Sequence, residues 1–234
     1  MQRNGRINSY SPMKAERNTV SIGRPAELKT SGNPEGKGVN GVLLDWGRTK
    51  PRGVVAKPQR QVLAELFTSM LALSASFKYR PVPGCPNYLY WIRGQWSLSL
   101  IAPDEWSEER RAGFAGTVKL QRDMTWTIEL SDRLAENTQI AEAVGRFYDA
   151  FTQSLNTERT LEEILPFHFD RLPYFQRLHA SALSRSLRTS CKLGGNTSGS
   201  CRDYWRQALP GQPLALIGLQ RSENQQDNRM QSLM

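Results

Sequence analysis

The side chains with the most chemical potential crowd into one short stretch. Glu162, Glu163, His168 and Asp170 bring three carboxylates and an imidazole together within nine residues. Such groups do acid–base work or hold a divalent metal when they converge on one point. Their spacing matches no ligand motif, and Thr160 with Glu163 reads as a capping box, which already gives that carboxylate a structural task. His168 stands between Phe167 and Phe169 beyond a proline, the setting of a packed imidazole. No catalytic residue, metal ligand or cofactor is therefore assigned. The quartet stays as the candidate acid–base cluster of a small-molecule hydrolase.

The other motifs carry less chemistry. Gly36-Lys-Gly-Val-Asn-Gly41 spells G-x-G-x-x-G, which cradles a pyrophosphate only between a strand and a helix. Leu28 to Pro34 does not read as a strand, so a flexible loop is expected. Cys85 lies between Gly84 and Pro86 with no base or oxyanion donor nearby in sequence, and Cys191 and Cys201 have no histidine to complete a zinc site. Three cysteines build no disulfide framework, so reduced thiols are expected. Asp104, Glu105, Glu108 and Glu109 surround Trp106 and read as the start of a short helix, with the indole stapling it to the sheet. His179, beside Leu178, reads as a packing residue. Tyr88, Tyr90 and Ile92 recur at every second position with Lys119 nearby on another strand. That pattern is a candidate binding face of the kind on which single-stranded nucleic acid stacks.

Several elements must position these groups. Val62, Leu63, Leu66, Phe67, Met70, Leu71 and Leu73 recur at threes and fours behind Pro58, which predicts a helix ended by Pro81 and Pro83. Asn87 to Ile101 holds two alternating runs around Arg93-Gly94, a tight hairpin whose two-residue loop pairs Trp91 with Trp96 and Leu89 with Leu98. A second hairpin, Gly116 to Leu130, pairs Leu120 with Trp126 and Val118 with Ile128. Helices are predicted over Thr138 to Leu155, after Thr160, and from Asp170 through Leu187. The fold class is α+β: a four-stranded antiparallel meander sheet with one face covered by helices and disordered tails.

The 234 residues carry 31 Lys and Arg against 22 Asp and Glu, and the excess is uneven. Residues 1–57 hold eleven basic and four acidic side chains, 58–190 balance, and 191–234 are slightly basic. Seventeen of the 21 aromatic residues fall between Phe67 and Phe175. Ordering a residue costs about 1–2 kcal/mol, which polar ends do not offset. A globular domain over 58–190 between mostly disordered tails, 1–57 and 191–234, is the expectation. Two apolar islands, Val42 to Trp46 and Leu214 to Leu219, interrupt the tails and are candidates to dock. No run reaches the roughly 18–20 apolar residues of a membrane span, so no membrane insertion and a cytoplasmic location are expected.

Tyr88-Leu-Tyr90, the turn Pro103-Asp-Glu-Trp106, Phe114-Ala-Gly116 and Asp123-Met-Thr-Trp126 together resemble an uncharacterised bacterial family, domain of unknown function 2452. The resemblance spans roughly Asp45 to Arg188 and implies a scaffold without an activity or ligand. Set beside the residues, it favours a non-enzymatic interaction module with a protein partner. Nucleic-acid binding through the tyrosine face and the basic tail, as an RNA-binding protein would use them, is the second reading.

Overall fold

A computed structural model of the chain describes residues 37–132, 137–167, 172–196 and 199–218. Contacts divide the chain into two units, Met1–Asn40 and Gly41–Met234, and of the first only the opening turn of a helix is described. The elements run α1 (Lys37–Arg48), α2 (Gln59–Ser74), β1 (Pro86–Ile92), β2 (Gln95–Ser99), α3 (Glu108–Arg111), β3 (Phe114–Leu120), β4 (Trp126–Leu130), α4 (Thr138–Ser154), α5 (Leu161–Ile164) and α6 (Tyr174–Leu193). A π-helical turn, Cys201–Trp205, and a helical stretch at 213–218 follow.

The architecture is α+β with a four-stranded antiparallel sheet. Both hairpins pair as their alternation predicts: Trp91 opposite Trp96, Leu89 opposite Leu98, Val118 opposite Ile128 and Leu120 opposite Trp126. Arg93 and Gly94 both take positive φ, 51° and 76°, the backbone a two-residue turn needs to keep its strands twisted together. The strand order, however, is β2-β1-β3-β4, not that of a meander. β1 lies between β2 and β3, so residues 100–113 must carry the chain back across the sheet. At the β1–β3 seam the register slips by one residue between Leu89 and Tyr90, a bulge.

α2 is buried on nearly every side, because it packs against β4, α6 and α4 together. It also completes an edge strand. The Thr68 hydroxyl donates to the Trp126 carbonyl at 2.7 Å, and the Trp126 amide donates to Ser69 Oγ at 2.9 Å. Two short polar side chains thus satisfy backbone groups that β4 would otherwise leave without a ladder partner. On α4, Phe147, Tyr148 and Phe151 surround the Phe67 ring, with centroids 5.3–5.7 Å away in tilted or edge-on geometry.

Burial runs past the boundaries that composition suggests. Cys201, Trp205, Leu216 and Ile217 all join the core. Upstream, Asp45 on α1 accepts from Arg80 and from the Tyr174 hydroxyl at 3.1 Å each, and the Arg185 guanidinium lies 4.2 Å over the Trp46 ring. The first island therefore docks by its carboxylate and one face of its indole, while the second docks by apolar burial.

Gly116 is required by close approach alone. A Cβ there would stand 2.5 Å from the Glu129 carbonyl oxygen and 3.0 Å from the Leu130 Cα. Both are backbone atoms of the neighbouring strand and cannot swing aside. Gly116→Ala is expected to cost about 1–3 kcal/mol, read as a lower urea midpoint at unchanged denaturant slope.

Candidate functional site

The described carboxylates of the candidate acid–base cluster point to separate tasks. Glu162 pairs with Arg188 on α6 at 2.6 Å, at the surface. Glu163 accepts from the Thr160 amide at 2.8 Å and the Thr160 hydroxyl at 2.9 Å, the carboxylate's part of a capping box. Those two bonds hold its carboxyl below the usual range. His168 and Asp170 lie outside the described residues. Among the described residues no group of three or more histidines, cysteines or carboxylates is placed to hold a metal.

The tyrosine face is partly roofed. Tyr88, Tyr90, Ile92 and Lys119 do share one side of the sheet, as the register requires. Yet Tyr90 is 1% exposed, and this corrects its expected role as an open stacking surface. The crossing from β2 to β3 lies over it: the Tyr90 hydroxyl donates to the Ile101 carbonyl at 3.0 Å and its ring meets the Trp106 indole edge-on. Burial raises that phenol to about 12. The crossing is itself pinned, with Arg110 stacked 4.2 Å over Trp106 and Arg111 donating to the Pro103 carbonyl. Glu105 accepts from the Ala102 amide in a 3-10 turn, Pro103–Glu105, separate from α3, so the acidic run is divided between two turns where one helix start was expected. Tyr88 and Ile92 remain half-buried and Lys119 exposed.

The G-x-G-x-x-G motif is corrected from loop to helix: from Lys37 onward it forms the first turns of α1. All three cysteines are free, and burial lifts Cys191 and Cys201 to about 11, which keeps them protonated near neutrality.

An ionic cluster emerges that no local spacing announces. Lys57 Nζ sits 2.7 Å from Glu65 Oε2 and 2.6 Å from Asp123 Oδ2, and the three side chains are only 8%, 7% and 12% exposed. Gln61 donates to the second Glu65 oxygen, while Asp123 Oδ1 accepts from the amide and hydroxyl of Thr125. Two carboxylates facing the ammonium hold its proton more firmly than in a free lysine. Burial, with Asp123 as a second negative neighbour, moves Glu65 upward as well, to about 7. One ammonium cannot neutralise two buried carboxylates, so the upward direction at Glu65 follows. The sequence signal was a single charge inside the most apolar turn of α2.

A groove of about 640 Å³ opens where the end of α2, the β1–β2 hairpin, α4 and the start of α6 meet. Trp91, Trp96, Phe77 and Phe147 form its aromatic surface, and the two indoles lie 4.8 Å apart. Lys78 and Arg146 are the ionisable residues lining it. Arg146 has a loose surface partner in Glu142, whereas Lys78 has no ion pair among the described residues. No acidic side chain lines it among the described residues.

Cluster, sheet and most of the groove's aromatic surface fall between Lys57 and Phe147. Residues 55–147 match the family model described as protein of unknown function (DUF2452). Comparison with curated proteins and with solved structures returned no match. The DUF2452 match is narrower at both ends than the stretch from Asp45 to Arg188, but it includes every motif that carried the resemblance. It contains Lys57, Glu65 and Asp123 entire. It stops within α4, so Leu183, Leu187 and Trp205 complete the core from outside the DUF2452 region, and Leu172 and Gln176 line the groove from outside it.

Proposed function

We propose that the protein is a non-enzymatic interaction module whose groove takes an apolar segment of a protein partner that also carries carboxylates. The carrying observation is the pairing of an aromatic surface, Trp91 and Trp96, with cations at Lys78 and Arg146 and no acid among the described lining residues. Aromatic side chains at the centre of a concave patch are the usual anchors of protein recognition, and flanking charges set orientation and partner choice. Lys78, which has no counter-charge among the described residues, favours an acidic partner.

The test is a phage-displayed random peptide library panned on the full chain, followed by titration of the enriched peptides by tryptophan fluorescence. Enriched sequences are expected to combine aromatic or branched apolar residues with Asp or Glu. Lys78→Glu and Ala150→Asp, both at exposed positions, should each weaken binding by about tenfold or more without lowering the melting temperature. Peptides without acidic residues, or affinities that neither substitution changes, would sink the reading.

A further inference from the structure

α1 leaves most of its apolar side in solvent. Val42, Leu43 and Trp46 recur at helical spacing and are 46%, 61% and 44% exposed, with Leu44 beside them at 61%. The helix is held to its own unit through Asp45, whose carboxylate is engaged by Arg80 and Tyr174, and through Thr49, which is buried. Arg185 also stacks over one face of the Trp46 ring, while Leu43 and Leu44 stay mostly exposed, so much of the apolar surface is left uncovered among the described residues. Gly38, Gly41 and Gly47 weaken the helix further, so a covering surface would stabilise it.

Among the described residues, the charges that follow this stripe are of one sign. Arg48, Lys50 and Arg52 follow the stripe and are exposed, and the Arg52 amide donates to the Arg122 carbonyl, which brings a fourth cation close. None of the four has an ion pair among the described residues. From Lys37 to Gly53 the lone acid is Asp45, which is already engaged. An apolar helix face with a tryptophan, followed by cations at and beyond its C-terminal end, fits the headgroup region of an anionic bilayer. No helix among the described residues is long and apolar enough to cross a membrane, so the contact is interfacial.

We propose that the exposed face of α1 adsorbs to an anionic lipid surface, with Val42, Leu43 and Trp46 in the interfacial layer and Arg48, Lys50 and Arg52 over the headgroups. The experiment is co-sedimentation of the full chain with vesicles of phosphatidylcholine alone and of phosphatidylcholine with roughly a quarter phosphatidylserine. Binding is expected to need phosphatidylserine, to fall steeply between about 50 and 500 mM salt, and to blue-shift an emission component that Trp46→Phe removes. Leu43→Asp should abolish sedimentation, and Lys50→Glu with Arg52→Glu should weaken it by about tenfold or more. Both changes lie at exposed positions, so unchanged melting accompanies them, and the groove variant Lys78→Glu should bind vesicles normally. Equal binding to both vesicle types, binding to neither, or insensitivity to Leu43→Asp would overturn the proposal. So would concentration-dependent self-association in sedimentation velocity that Leu43→Asp removes, because the face would then belong to a second copy.

Discussion

Replacing Lys57 with alanine is expected to destabilise the fold by about 3–5 kcal/mol near pH 8, because it leaves Glu65 and Asp123 buried side by side without a cation. The cost arises from the charges left behind more than from the ion pair itself. Glu65→Gln tests that distinction, since an amide keeps the shape and one acceptor oxygen for Lys57 while removing one of the two negative charges. It should cost far less than Lys57→Ala, and it should reduce the cost of Lys57→Ala when the two are combined.

The same cluster sets a pH dependence whose sign is fixed by the direction of the shift. Glu65 is raised in the folded protein from 4.5 to about 7, so between those values the folded state binds more protons than the unfolded chain. Stability from this group is complete below about pH 4.5 and falls as pH rises through 7, by an amount on the order of 3 kcal/mol at most. Lys57, shifted upward, contributes stability below its ordinary value that is lost only in strong alkali, outside this window. Urea unfolding at about pH 5 and pH 8 should therefore show a fall in stability for the native sequence that Glu65→Gln flattens. The penalty of Lys57→Ala should shrink at the lower pH, where Glu65 takes up a proton. A penalty below about 1 kcal/mol at pH 8, or one that ignores pH, would mean that the cluster is solvated.

What the sequence makes legible here is local order. Period-two alternation around Arg93-Gly94 and around Arg122 to Met124 sets side-chain faces and register together, because slipping either hairpin by one residue would turn Leu89, Trp96, Val118 and Trp126 outward. Strand order is a different kind of information. Whether β3 sits beside β2 or β1 depends on where residues 100–113 lie, and that segment is pinned by contacts between Tyr90, Ile101 and Trp106 that no periodicity encodes. The error at Tyr90 follows from this, since a meander would have left its face open. Lys57, Glu65 and Asp123 were hidden for the same reason: their meeting joins residues 66 apart, and only the oddity of a carboxylate between Ala64 and Leu66 marks it in the sequence. The groove is likewise non-local, drawn from two helices, a hairpin and the start of a third helix.

Trp205→Ala is expected to cost about 3–5 kcal/mol, as large as a substitution at the centre of the matched region. Composition places Trp205 among polar, basic residues where little burial is expected, yet the indole is 1% exposed and packs edge-on against Tyr204. Its segment is anchored on several sides. The Cys201 amide donates to the Arg159 carbonyl at 2.7 Å, Gln59 donates to the Tyr204 carbonyl at 2.6 Å, and the Tyr204 hydroxyl donates to Asn196, whose own amide reaches the Lys57 carbonyl. Trp205 therefore closes the core over the start of α2, where Lys57 enters the ionic cluster. Trp205→Phe, which keeps most of the apolar area, should recover about half of the loss. Because the two sites share this backbone, Trp205→Ala combined with Lys57→Ala should cost less than the sum of the single changes, and strict additivity would argue against the connection. A loss below about 1 kcal/mol for Trp205→Ala alone would place residues 199–218 outside the cooperative unit, with the fold confined to the residues before them.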